Sequence, residues 1–196
     1  MRKYFTVFKT SLKENLQTLL NTFMAMFSFV VIIYIFDQLW TYLYTSGANG
    51  IINGYTLKQM IWFLIITEII AYSAKGRYII AGISNDVKSG KIAYMLNKPY
   101  NYYTYNIFND MGETIIKFAF LLPTGVAVGL LLIGPIVSFN VLYIFPIILS
   151  LFSACILVSV IFAAIGMLTF WVEDASPFSW IFEKFIMLLG MFFPPE

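Results

Sequence analysis

The chain has 196 residues, 60% of them hydrophobic and 11% charged, with a net charge of +2 and a mean hydropathy of +0.82. No soluble domain needs so large an apolar excess, so the sequence describes an integral membrane protein, and so small a net charge gives no ground for nucleic acid as a partner. The lack of His removes the commonest metal ligand and general base, and the lone Cys155, set in an apolar run, reads as a packing thiol with no intrachain disulfide to form.

Residues 2–16 place Tyr4, Phe5, Phe8, Leu12 and Leu16 on one helical face, beside Arg2, Lys3, Lys9 and Lys13. This pattern predicts a helix over 1–18 lying among the membrane lipids at the interface, and with no cleavage site after it the segment is retained. A first span is expected from about Leu19 to Leu43, with Trp40, Tyr42 and Tyr44 as an aromatic belt and Asp37 within reach of the interface. The string TSGANGIINGY is a Gly/Asn-rich turn, and a second span follows over roughly Leu57 to Ala74. Glu68 is the one acid deep in a span. An ionisable group there must face the bundle interior or a polar cavity, which makes it a candidate for a substrate pathway and equally a candidate structural partner.

The largest polar island, ISNDVKSGKIAYMLNKP from Ile83 to Pro99, carries Asp86, Lys88, Lys91 and Lys98. Ile79, Ile80, Ile83 and Val87 recur at helical spacing, with Ser84, Asp86 and Lys88 expected on the other side. Gly90 reads as the helix stop. A second short helix is expected from Lys91 to about Asn97, ending before Pro99 because a residue preceding proline is driven out of the helical region. The product is an amphipathic elbow across the membrane face. Four Lys/Arg lie in the N-terminal segment and five in the central loop (Lys75, Arg77, Lys88, Lys91, Lys98), against none in the first and third loops, so the N-terminus and residues 75–112 are expected to be cytoplasmic.

After a Tyr-rich stretch from Tyr100 to Phe108, expected to lie along the interface, Asp110, Glu113 and Lys117 lead into a third span ending near Gly134. Glu113 and Lys117, four apart, are expected to pair along one helix face. The spacing of Gly125 and Gly129, repeated by Ser159 and Ala163, suits close helix packing within the chain more than a subunit interface. The loop GPIVSFN is short and uncharged. A fourth run extends from Val141 to Trp171, its helix beginning near Pro146. Next come the polar string VEDASP, with Glu173 and Asp174, and an apolar run from Trp180 to Phe193, too short to cross. SGK at Ser89 to Lys91 lacks the first glycine and the final Ser/Thr of a phosphate loop, so the chain is not expected to hydrolyse ATP. CxxC, HExxH and GxSxG are all missing, and no catalytic, metal or cofactor set emerges.

Four stretches together carry a family resemblance: RKYFTVFKTSLKENL at the start, GYTLKQMIWFLIITEII from Gly54, ISNDVKSGKIAYMLNKPYN, and FWVEDASPFSWIFEKFIMLLGMFF from Phe170. The most specific is DVKSGKI followed by Lys98-Pro99. In order and spacing they resemble the permease subunit of type-2 ABC exporters, the bacterial ABC-2-like branch, over essentially the whole chain. The resemblance implies an all-α polytopic fold in one domain, 1–196. It would comprise an N-terminal interfacial helix, four transmembrane helices and an incomplete fifth at 180–196, since members of that family run longer and this sequence stops at FFPPE. It also implies a coupling helix between the second and third spans, over about Ile79 to Ser89. Ile83, Asp86, Val87, Lys88, Gly90 and Lys91 would couple to a separate cytosolic ABC ATPase, which would use the ATP.

By the same resemblance the chain sits in the bacterial cytoplasmic membrane as a non-enzymatic permease, dimeric with a second copy or a homologous permease. Its uniformly apolar spans favour export of an amphipathic or lipid-linked molecule. Two other classes remain open from the residues alone. One is a pore-forming or structural membrane protein without an ATPase, and the other is a lipid-modifying membrane enzyme, for which only Glu68 offers a polar centre.

Overall fold

The amphipathic N-terminus folds as α1 (Arg2–Gln17), and after a break at Thr18 the chain continues as α2 (Leu19–Ser46). The computed structural model describes residues 2–46, 51–52, 54–74, 76–135, 141–172 and 174–189. Lys75, Glu173, the turn residues 47–50, residues 136–140 of the third loop and the end of the last run at 190–196 lie outside the described residues. A two-stranded hairpin, β1 (Ile51–Ile52) and β2 (Tyr55–Thr56), pairs Ile51 with Thr56 and Ile52 with Tyr55. It sits where the Gly/Asn-rich string was expected to turn.

Thr56 then starts α3 (Leu57–Ser73). Its side chain accepts from the Gln59 N–H while the Gln59 side chain accepts from the Thr56 N–H, a reciprocal cap that satisfies two of the helix's unpaired donors. Beyond it come α4 (Arg77–Lys88), α5 (Lys91–Leu96) and α6 (Tyr102–Leu132). The chain closes with α7 (Ile144–Met167), α8 (Thr169–Val172) and α9 (Ser176–Met187). Four helical stretches are long and apolar enough to cross a membrane: Leu19–Ser46, Leu57–Lys88, Tyr102–Leu132 and Ile144–Val172. The protein is therefore all-α and polytopic.

Several boundaries differ from expectation for local reasons. The first span runs on to Ser46, because nothing between Leu43 and Ser46 breaks a helix. Residues Tyr102 to Phe108 of the Tyr-rich stretch form the opening turns of α6. Asn101 caps that helix by accepting from the Thr104 N–H at 3.1 Å, and no helix breaker follows until Pro123, which removes one backbone donor without ending the helix. A 3-10 turn at Val141–Tyr143 leads into α7, so Pro146 falls within its first turn, where a missing N–H costs nothing. Helix α9 starts four residues before Trp180, with Pro177 in its first turn.

The bundle is built around α3. Ile61, Leu64 and Ile65 are fully enclosed with Phe29 and Ile33 of α2, Leu121 of α6 and Cys155 of α7. In lipid there is little hydrophobic gain from joining helices, so close van der Waals contact must hold them, which explains the small residues at the contacts. A side chain added at Gly125 would stand 2.8 Å from Ile69 Cδ1, and one at Gly129 would stand 2.7 Å from the Trp62 ring. The glycine pair is therefore spent on packing within the chain, and Ser159 and Ala163 are likewise fully buried.

Helix α1 runs parallel to the first half of α6. Tyr4 stacks on Phe108 with ring centres 5.6 Å apart and accepts the Asn101 N–H at 2.8 Å, while Ser11 donates to the Asn109 carbonyl. The closest approach is at Gly112, where an added Cβ would lie 2.8 Å from the Leu12 backbone nitrogen. Helix α2 continues in the same direction: Phe23 meets Phe120 edge-on at 6.1 Å, and Val30, Val31 and Tyr34 border a small apolar groove with Val128, Leu131 and Leu132.

Candidate functional site

The polar island folds as the expected elbow. The stop between α4 and α5 falls at Gly90, whose φ of +71° lies in the left-handed region that a residue with a Cβ enters only at a cost. The Ser89 N–H returns to the Asn85 carbonyl at 2.9 Å and the Gly90 N–H to Val87 at 3.1 Å, satisfying the last carbonyls of α4.

Helix α4 has two faces with different fates. Ile79, Ile80 and Ile83 are buried with Phe162 and Ala163 of α7, Met95 of α5, Tyr102 of α6 and Ala175. Ile83 Cδ1 occupies the space above Gly166, where an added Cβ would be 2.7 Å away. Ser84, expected on the outer side, is buried instead, because it follows Ile80 by four residues and so shares its face. Its hydroxyl is 3.2 Å from that of Thr169 on α8, a buried polar pair that satisfies both groups. Ala81, Gly82, Asn85, Lys88 and Ser89 are exposed on the opposite side.

Four groups hold the elbow in place. Asp86, half-buried, accepts from the Tyr102 hydroxyl at 2.8 Å and pairs with Lys91 at 3.3 Å, which joins α4, α5 and α6 at one carboxylate. Lys88 reaches Asp174 at 2.8 Å, in the loop before α9. Arg77 grips Glu183 of α9 through two nitrogens. The Lys88 ammonium, with the Ser176 hydroxyl and backbone N–H beside it, holds the Asp174 carboxyl well below the usual carboxylate range. Exposed pairs of this kind add little stability, so their effect is to fix position.

The six residues expected at this site therefore divide. Gly90 and Lys91 are exposed at the tip, Lys88 is exposed but engaged by Asp174, Asp86 and Val87 are half-buried, and Ile83 is fully buried in the seat. Glu68 lies in α3, 2% exposed and engaged within the bundle, and it lines neither the apolar groove nor the polar cavity described next. Among the described residues no cluster of three metal-ligating side chains occurs.

Two features had no visible mark in the sequence. Asp110 is buried in α6 and accepts from Ser159 of α7 at 2.6 Å and from Thr114 at 3.3 Å, a polar tether between the two helices. The second is a polar cavity of about 430 Å³ where the α1–α2 break draws away from α6. Asn15, Thr18, Asn21 and Thr22 line one wall, and Tyr78 with the Glu113–Lys117 ion pair lines the other. The Glu113–Lys117 pair itself was legible as an i, i+4 spacing, but the cavity above it was not.

A family model described as ABC-2 family transporter protein matches residues 19–194 of the chain. Neither a curated protein nor a solved structure matches the chain.

Proposed function

The chain belongs to the ABC-2 family of transporter proteins, and from that premise we propose that this multi-pass membrane permease receives its driving force at the α4–α5 elbow from a separate cytosolic ABC ATPase. With a second permease, identical or homologous, it exports an amphipathic or lipid-linked molecule across the bacterial cytoplasmic membrane. The N-terminus and the elbow are cytoplasmic, as the Lys/Arg bias requires. ATP is bound and hydrolysed by the partner.

The observation that carries this reading is the two-faced packing of α4. Its outer face, with Asn85 and Ser89, is open, while its inner face is seated on α7 and α8 and tied to α6 and α9. A push on the tip displaces a rigid unit rather than a free loop. Ser84–Thr169 and the Ile83 seat pass the displacement to the end of the fourth span, and Asp86–Tyr102 passes it to the start of the third. Closure of two ATPase subunits under the elbow would in this way become a rotation of helices in the membrane.

The test is affinity capture of the tagged chain from native membranes in mild detergent. Because Asp86 and Lys88 are engaged internally, the informative variants are Asn85→Arg and Ser89→Arg, both on the open face, of which Ser89→Arg also gives up the bond from its hydroxyl to the Asn85 carbonyl. An ABC ATPase recovered with the parent chain and lost with both variants is expected. An inserted, intact chain that recovers no ATPase, or one whose ATPase survives both substitutions, sinks the assignment.

A further inference from the structure

The polar cavity at the α1–α2 break has the chemistry of a ligand site. It sits where four uncharged polar side chains of one strand of the chain face an ion pair on another: Asn15, Thr18, Asn21 and Thr22 opposite Glu113 and Lys117. Thr22 is 5% exposed, and among the described residues nothing hydrogen-bonds its hydroxyl; Asn21 beside it is exposed to the cavity. Elsewhere in these helices Thr6, Thr10, Thr18 and Ser28 return their hydroxyls to a carbonyl of the preceding turn. The Thr22 hydroxyl makes no such bond and opens on a cavity of about 430 Å³, where it can bond to whatever enters. The volume is that of a small-ligand site.

The charges define what fits. Lys117 is almost wholly buried and is paired to Glu113, with the Tyr78 ring 5.5 Å from its ammonium. A plain anion drawn to Lys117 meets the Glu113 carboxylate, and a plain cation drawn to Glu113 meets Lys117. A ligand bearing both signs satisfies both. The cavity also lies at the first turns of α2, the end that the charge bias places among the cytoplasmic headgroups. We propose that this cavity binds the headgroup of an inner-leaflet phospholipid that carries a phosphate and a primary ammonium. The phosphate lies toward Lys117, Asn21 and Thr22, and the ammonium toward Glu113. A primary ammonium donates hydrogen bonds to that carboxylate, which a quaternary one cannot do, so ethanolamine lipids are preferred over choline lipids. The proposal rests on the topology given above but needs no ATPase.

The experiment is native mass spectrometry of the purified full chain titrated with phosphatidylethanolamine, phosphatidylcholine or phosphatidylglycerol of one acyl composition. Retention of the ethanolamine lipid about tenfold above the other two is expected, the scale of one charge-assisted hydrogen bond. Ala25→Phe, which fills the cavity and leaves the ion pair untouched, should abolish that preference, while Ala127→Phe on the exposed face of α6 should not change it. Thr22→Val keeps the shape of the side chain and should weaken retention severalfold with no loss of thermal stability. Free phosphoethanolamine that competes at the same concentration as the lipid would assign the site to a soluble headgroup compound instead. Equal retention of the three lipids, or a preference that survives Ala25→Phe, overturns the proposal.

Discussion

The seat of α4 on α7 can be tested at a single methyl group. At Gly166 the first atom an added Cβ would meet is Ile83 Cδ1, at 2.7 Å, while the next, on Ile80, are at 3.6 and 3.7 Å and within ordinary contact. Ile83 is fully buried, so its end cannot swing clear, and Gly166→Ala should cost about 1–3 kcal/mol as an overpacked contact. Replacing a helical glycine returns about 0.5–1 kcal/mol, which leaves a net change between about zero and a loss of about 2.5 kcal/mol. Ile83→Val removes the blocking Cδ1 and alone costs about 0.5–1.5 kcal/mol. In the Ile83→Val background Gly166→Ala no longer clashes and fills the space left, so its sign reverses to a gain of about 0.5–1 kcal/mol. The assay is thermal unfolding of the detergent-solubilised chain, followed by tryptophan fluorescence, on the four members of the cycle. Gly82→Ala serves as a control, since that glycine is on the exposed face of α4 with nothing within 4 Å. It should stabilise by about 0.5–1 kcal/mol in every background. If Gly166→Ala lowers stability equally with Ile83 and with Ile83→Val, the two helices are not packed at this point and transmission through the Ile83 seat falls with it.

The Lys88–Asp174 tie carries a pH signature. Because the folded carboxyl lies below its unfolded value, the contribution is fully present above the unfolded value of about 4 and is lost as pH falls through the folded one. Asp174→Asn should therefore flatten the acid limb of the stability profile below about pH 4 and leave the neutral region's slope unchanged. A limb identical in the variant would count against the tie. At the other end of the molecule, Gly112→Ala forces its Cβ against the Leu12 backbone nitrogen and should loosen α1 by about 1–3 kcal/mol. Faster tryptic cleavage at Lys9 and Lys13 with the rest of the chain still protected would show it, and unchanged cleavage would mean that α1 is not held along α6.

Hydrophobic content and helical periodicity by themselves determined that the chain is an all-α membrane protein with four crossing stretches. They also placed the amphipathic helix at residues 2–16 and the elbow broken at Gly90. These features depend on neighbours within one or two turns: a run of about 20 apolar residues must span or be buried, and a glycine after a helical face ends it. The pairing of Glu113 with Lys117 was legible for the same reason. What only the tertiary structure decided are the contacts between residues far apart in sequence. Ser84 meets Thr169, Lys88 meets Asp174, Arg77 meets Glu183, and Asp110 meets Ser159. No local pattern marks such partners, because each helix fixes only which of its residues share a face and not which helix that face will meet. Ser84 shows how narrow the margin is: its polarity argued for the outer side, but its place four residues after Ile80 put it in the seat, and the Thr169 hydroxyl made that burial tolerable. The cavity at Thr22 is of the same kind, since it exists only where the break at Thr18 draws two parallel helices apart over an ion pair nearly a hundred residues away.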